Sequence, residues 1–356
     1  MVEWKKLGEI GEICMCKRIM KDQTSDNGDI PFYKIGTFGK KADAYISRNL
    51  FENYKTNFSY PKKGEILISA AGTIGRSVVF DGEDAYYQDS NIVWIANDEK
   101  TVTNRFLFYF YQIAEWKTDG GTIKRLYNYN LKNTKIPVPS LEEQKRVVGI
   151  LDTFTDSIEN LKQQIAQRRK QFEFYRDCIF KHVDSKETTW KKLSEIAVIF
   201  KGPYITKKGS KEGNVPVVMG GQKAAYYIDN NNSEGESIVI SRSGINAGFV
   251  SFWNQPIFVS DGYRIDNKDI IVKKFLFHFL KSIEGIINSS KKGAGVPHVQ
   301  SNYLLNILIP LPPLSEQQRI VSILDTFEAS ISNLEAQLAQ RQKQYEYYRN
   351  QLLTFE

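Results

Sequence analysis

From Leu151 the apolar positions fall at Leu151, Phe154, Ile158, Leu161 and Ile165, then at Phe172, Tyr175 and Ile179. Alternating steps of three and four residues are the heptad rhythm of a coiled-coil helix. The rhythm returns at Leu324, Phe327, Ile331, Leu334 and Leu338, then at Tyr345, Tyr348 and Leu352. In both runs the seam position left over carries arginine, Arg168 and Arg341. A polar residue there sets register at some cost in stability. Pro139 precedes the first run and Pro312-Pro313 the second, suitable punctuation for a helix start. The pattern predicts a helix from Leu141 to about His182, roughly 60 Å long at about 1.5 Å per residue, and a twin from Leu314 onward. Two such helices separated by a folded domain pack most simply on each other, antiparallel. The alternative is that each zips with a partner protein.

The twin helices are part of a larger repeat. Leu141 to Phe180 aligns with Leu314 to Leu353 without a gap, and 23 of 40 positions are identical. Upstream, Glu3 to Ile10 (EWKKLGEI) answers Thr189 to Ile196 (TWKKLSEI), and Ile136-Pro137-Val138-Pro139 answers Ile309-Pro310-Leu311-Pro312. Shared ends around divergent middles predict one scaffold used twice: a block at 1–140, a helix segment at 141–187, a second block at 188–313 and a second helix segment at 314–356.

Inside the blocks the hydrophobic period changes. IPFYKIG, GEILISAAG, RSVVF and NIVWIAN read as short strands broken by Gly and Asn/Asp clusters, followed by an aromatic helix around FLFYFYQIAEW. Block two repeats the order with VPVVMGG, ESIVISRSG, GFVSFW and KKFLFHFLKSI. The expected fold class is therefore α+β, two mixed α/β domains joined by two long helices.

Charge sharpens this when divided. The chain of 356 residues carries a formal +7, too mild by itself to establish a polyanionic partner. By segment the charge is +3 for 1–140, +1 for 141–182, +5 for 183–313 and −2 for 314–356. The excess sits on the blocks, where a nucleic-acid footprint is expected. No run of apolar residues is long enough for a membrane span, and MVEWKKLGEIGEI has no apolar signal core. A cytoplasmic protein with no membrane partner is expected. Cys14, Cys16 and Cys178 form an odd, sparse set that suits reduced thiols better than zinc or a disulfide frame.

Basic and polar side chains gather near Gly-rich turns. In block one these are Lys40, Lys41, Lys62, Lys63, Arg76 and the run from Gly120, Gly121, Thr122 and Ile123 through Lys124, Arg125, Tyr127 and Asn128 to Asn130. In block two they are Lys207, Lys208, Arg242, Ser243, Lys291 and Lys292, leading to His298, Gln300 and Asn302. Arginine can read guanine, Asn or Gln can read adenine, and lysine and loop amides take phosphates. Singly, each is better explained as a solvated surface charge; together they point to nucleic acid. Catalytic motifs are missing: no phosphate loop of the G-x-x-x-x-G-K-[ST] type, no H-E-x-x-H and no carboxylate cluster suited to nuclease metals. Of the three histidines, His182, His278 and His298, the one in the aromatic helix (His278) reads as packing and His298 in a basic loop as a contact. The expectation is a chain with no active site and no metal of its own.

The doubled layout W-K-K-L-[GS]-E-I, variable block, I-P-[VL]-P, L-x-E-Q-x-R-[VI]-V-x-I-L-D and long helix resembles the specificity subunit of Type I restriction-modification systems, over essentially the whole chain. Trp4 and Trp190 would open its two target recognition domains. The resemblance implies a pseudo-two-fold scaffold on which each domain reads one half of a split double-stranded DNA site. The helix pair would act as a spacer, its seam formed by Leu151, Phe154, Ile158, Leu161, Ile165 and Arg168 with Leu324, Phe327, Ile331, Leu334, Leu338 and Arg341. It also implies two methylation subunits that use S-adenosylmethionine to methylate adenine N6, and restriction subunits that use ATP and Mg2+. This chain itself would hold no cofactor. Two other readings stand beside it: a scaffold whose blocks recognise protein surfaces, and a fragment of a self-sufficient restriction enzyme.

Overall fold

Both heptad runs are continuous helices, Leu141–Lys181 and Leu314–Leu353. The computed structural model describes residues 2–119, 124–183, 187–219, 223–293 and 295–355. The chain divides into two compact units, Met1–Asn160 with Gln337–Glu356, and Leu161–Ala336. Each unit therefore takes one block and a part of each long helix.

In the first unit an antiparallel four-stranded sheet runs in the order Gly11–Cys14, Ile92–Asn97, Ile66–Ser69, Ser77–Val79. Ile66–Ser69 is buried along its whole length, which explains its continuous apolar run. A smaller sheet pairs Ile30–Tyr33 antiparallel with Tyr45–Ile46 and parallel with Tyr86–Tyr87. The aromatic helix spans Asn104–Tyr111, and its first turn is capped by the Thr103 hydroxyl, which accepts from Phe106 N–H at 3.2 Å. It buries Phe106, Leu107 and Phe110 in a core shared with Ile68, Val93, Val147, Leu151 and Leu353. The apolar pattern carries this helix on to Trp116; the helix stops at Tyr111, and Trp116 instead packs back on Tyr111 from the following segment.

The second unit repeats this plan. Its larger sheet runs Ala197–Lys201, Gly262–Asn267, Glu236–Ser241, Val250–Asn254, and its smaller one Tyr227–Ile228, Val215–Val218, Phe258–Val259. The aromatic helix is Lys273–Ser282, buried at Phe275, Leu276 and Phe279 against Phe180, Ile320 and Leu324.

Each block is closed at its base by the sequences that frame it. Glu3–Lys6 pairs with Lys135–Val138, setting Trp4 opposite Pro137; Thr189–Lys192 pairs with Leu308–Leu311, setting Trp190 opposite Pro310. The repeated W-K-K and I-P-[VL]-P motifs are thus two strands of one ribbon, which is why they recur together.

Within each unit the long helices run antiparallel. In the first, Phe154 stacks on Tyr348 at 5.3 Å, the Arg341 guanidinium lies 5.6 Å from the Phe154 ring, and Leu151 shares a core with Leu353. In the second, Arg169 pairs with Glu335 at 2.5 Å while Tyr175, further along, meets Phe327 further back at 5.5 Å. All twelve seam positions, from Leu151 to Arg168 and from Leu324 to Arg341, are buried or half-buried, both arginines included.

The glutamine of each L-x-E-Q motif ties helix to block. Gln144 is fully buried; its Oε1 accepts from Thr103 N–H at 2.8 Å, and its Nε2 donates to the Thr101 and Pro139 carbonyls at 2.9 Å. Gln317 makes the same bonds to Val272 N–H (2.8 Å) and the Pro312 carbonyl (2.9 Å). The neighbouring Glu143 and Glu316 each take a two-toothed grip on the arginine three residues on, Arg146 and Arg319.

Candidate nucleic-acid interface

At one end of the larger sheet of the first unit, four segments meet around the hairpin loop Ala70–Arg76. Leu126 N–H donates to the Ala70 carbonyl at 2.9 Å. Arg125 Nη2 donates to the Ser90 carbonyl at 2.8 Å, and Arg76 Nη1 to the Phe38 carbonyl at 3.0 Å. Ile35 N–H donates to Gln88 Oε1 at 2.9 Å. These bonds bring Arg76, Lys40, Lys41, Lys124, Arg125, Tyr127 and Asn128 to one end of the domain. Of these, Arg76 and Arg125 are half-buried and the rest exposed. Tyr127 and Tyr129 stack at 6.3 Å, with 45% and 57% of their surfaces exposed. The loop contains Gly75, where φ is +80° and an added Cβ would stand 2.2 Å from Trp116 Nε1, so only glycine fits.

Three sequence candidates are placed differently. Asn130 is buried: its Oδ1 accepts from Tyr127 N–H at 3.1 Å and its Nδ2 donates to Asp119 Oδ2 at 2.9 Å, so its amide is spent inside the domain. Lys62 and Lys63 lie at the opposite end of the hairpin, in a turn closed by Gly64 N–H to the Phe80 carbonyl at 2.8 Å and by Lys62 N–H to Glu65 Oε2 at 2.7 Å. Burial pushes the Glu65 carboxyl above its ordinary value. Gly120, Gly121, Thr122 and Ile123 lie outside the described residues.

The second unit assembles the same end from different side chains. Val299 N–H donates to the Arg242 carbonyl at 2.9 Å, the counterpart of the Leu126–Ala70 bond, and Gly244 N–H donates to the Pro297 carbonyl at 3.1 Å. His298 bridges to both Ser243 and Lys292. Arg242, Ser243, Lys291, Lys292 and His298 therefore gather around one hairpin loop. Exposed Gln300 and Asn302 follow at the start of the short helix Ser301–Leu305. Lys207 and Lys208 sit in a one-turn helix whose preceding Ile205 N–H donates to Ser260 Oγ at 3.2 Å, beside the same loop. Asp261 binds the Arg242 guanidinium at 2.5 Å and accepts from the Ser243 hydroxyl. It does so from the left-handed region at φ 48°, a conformation costly for a non-glycine residue. The carboxylate raises the Arg242 pKa further, so this cation is permanent.

Sequence reasoning missed the apolar members of these ends. Ile245 (86% exposed), Tyr204 (70%) and Val296 (58%) project from the loops of the second unit. The available signal was a bulky apolar residue beside Gly or Pro, as in Gly244-Ile245 and Pro203-Tyr204. The three cysteines carry no disulfide. Among the described residues no helix is long and apolar enough to cross a membrane.

The comparisons with known proteins agree on one family. The model of the Type I restriction modification DNA specificity domain matches residues 1–168 and again 186–342. A putative Type I restriction enzyme specificity subunit of Haemophilus influenzae is 61% identical over 179 residues, 49% of this chain and 46% of that protein, so the match spans less than half of that relative's length. A Type I restriction enzyme specificity subunit of Escherichia coli is 26% identical over 99% of this chain and 94% of its own. In fold, the chain is similar to the S subunit of a Type I restriction-modification system from M. genitalium. The TM-score is 0.64 at 16% identity, covering 100% of this chain and 97% of that one. A second solved structure, from work on assembly and conformational transition of the Type I system, gives 0.61 at 17% identity, covering 99% of this chain and 96% of that one. The chain belongs to the Type I restriction-modification DNA specificity family and carries that family's domain twice.

Proposed function

We propose that this chain is the addressing component of a Type I restriction-modification complex, each recognition domain reading one half of a bipartite double-stranded DNA site. The observation that carries the reading is the repeated loop end: an equivalent main-chain bond, Leu126 N–H to the Ala70 carbonyl and Val299 N–H to the Arg242 carbonyl, brings basic, amide and exposed aromatic or aliphatic side chains to the hairpin loop of each domain, while the side chains themselves differ. Equivalent ends with unequal chemistry suit a split site with two different halves. Lysines at the rim take phosphates, and Arg125, Asn128, His298 and Gln300 are the candidates for base edges. The antiparallel helices set the unread spacing and dock two methylation subunits. These bring S-adenosylmethionine to flipped adenines, and restriction subunits bring ATP and Mg2+. The chain itself supplies no reaction chemistry.

The test is footprinting and adenine-methylation mapping with the chain and its methylation subunit together. A single split sequence should be protected, with affinity that falls steeply as salt rises. Replacing both Lys291 and Lys292 by Ala should weaken all duplexes alike and reduce the salt slope by about 1 for each phosphate no longer neutralised. Gln300→Ala should change preference in one half-site only. Equal affinity for random and protected duplexes would sink the reading.

A further inference from the structure

The two units differ chemically where the aromatic helix meets the long helix. In the first, Tyr109 Oη donates to Asp152 Oδ1 at 2.5 Å and lies 3.1 Å from Thr155 Oγ1, while Arg105 closes the group by an ion pair to Asp152 at 2.6 Å. Tyr109 Oη, Thr155 Oγ1 and Asp152 Oδ1 each have a partner there. By alignment of the repeats, Arg105, Tyr109, Asp152 and Thr155 correspond to Lys274, His278, Asp325 and Glu328.

In the second unit this self-contained network is open. His278 is 1% exposed and neither ring nitrogen has a hydrogen-bond partner; Asp325 Oδ1 is also buried without one. His278 Nε2 stands 3.6 Å from Asp325 Oδ1, too far for a hydrogen bond. Two ligands at a tetrahedral angle, each about 2.0–2.1 Å from a metal, stand roughly 3.4 Å apart. One donor atom each from His278, Asp325 and Glu328 falls within 4.8 Å of the others. Lys274 Nζ holds the other Asp325 oxygen at 2.6 Å, orienting the carboxylate and leaving Oδ1 free to coordinate.

We propose that His278, Asp325 and Glu328 bind one divalent transition-metal ion of the zinc class, fastening the second domain to its long helix. Replacing tyrosine by the shorter imidazole and threonine by a carboxylate turns a hydrogen-bonded group into a set of one imidazole and two carboxylates whose donor atoms lie within 4.8 Å of one another. One imidazole and two carboxylates suit Zn2+, Co2+ or Mn2+ better than Mg2+, which prefers oxygen ligands and retains its waters. The surroundings fit a nitrogen ligand: Phe172 and Phe277 pack on the ring at 6.3 and 5.1 Å, and both ring nitrogens are buried without a hydrogen-bond partner.

The whole chain, stripped with chelator and dialysed, is titrated with Zn2+ and with Co2+ by calorimetry and visible absorption. The expected result is one equivalent per chain, a ligand-field spectrum with Co2+, and a higher melting temperature with Zn2+. Glu328→Gln should weaken binding at least tenfold. The double variant His278→Tyr with Glu328→Thr copies the closed network of the first unit, so it should fold and melt cooperatively while binding no metal there. Absence of stoichiometric binding, binding unaffected by Glu328→Gln, or full displacement by millimolar Mg2+ would overturn the proposal.

Discussion

Gln144 and Gln317 show what a short repeated motif does. Each buried amide holds a helix start and a segment of its block, using both ends of its side chain. Removing one leaves a buried backbone N–H and two carbonyls without partners, each worth about 1–3 kcal/mol when unsatisfied. Gln144→Ala is therefore expected to destabilise the first unit by at least about 3 kcal/mol in chemical denaturation. Glu143→Ala, which loses only an exposed ion pair with Arg146, should cost less than about 1 kcal/mol. Cys16 gives a second prediction at this scale. It is 2% exposed, and burial pushes its thiol up to about 12, so almost no thiolate is present at pH 8. Iodoacetamide applied to the folded chain should leave Cys16 unmodified by peptide mass spectrometry, with labelling only after denaturant is added. Labelling in the folded state would show that this core opens.

At the scale of elements, the long helices were legible because a heptad sustained over some forty residues leaves no other period to fit. Their seam sets a prediction within the proposed spacer role. Inserting four residues after Leu161 turns everything beyond it by about 40° relative to the seam, at roughly 100° per residue. The expected outcome is an altered spacer or lost helix pairing with both half-sites unchanged; a changed half-site would show that helix and block do not divide the work as proposed. The central strands were legible too, since Ile66–Ser69 and Glu236–Ser241 are buried apolar runs. Gly11–Cys14 and Ala197–Lys201 were not, because a short edge strand owes its existence to pairing with Ile92–Asn97 or Gly262–Asn267, sequence-distant partners that local composition does not reveal. The same reason hid the role of Asn130. Its type suits base reading, but only the fold shows that Asp119 and the Tyr127 amide already occupy it.

For the whole molecule, the duplication separates what must stay from what can differ. The ribbons, the glutamine ties and the helix seam recur in both units, and the excess positive charge resides on the blocks between them. Exchanging residues 188–313 for the equivalent block of a relative is expected to change one half of the methylated sequence and leave the other half intact, read by genome-wide methyladenine mapping. A change in both halves would show that the domains do not read independently.

The loop ends of both domains are gathered by bonds such as Leu126 N–H to the Ala70 carbonyl and Val299 N–H to the Arg242 carbonyl. Such bonds use peptide groups, which nearly every amino acid possesses, and so they make few demands on side-chain identity. Exposed positions such as Lys124, Asn128, Ile245 and Gln300 can then be rewritten by mutation at little expense to folding. Gly75, where only glycine fits, cannot. The protein is built to be recoded: its vocabulary is free to drift while its grammar stays put.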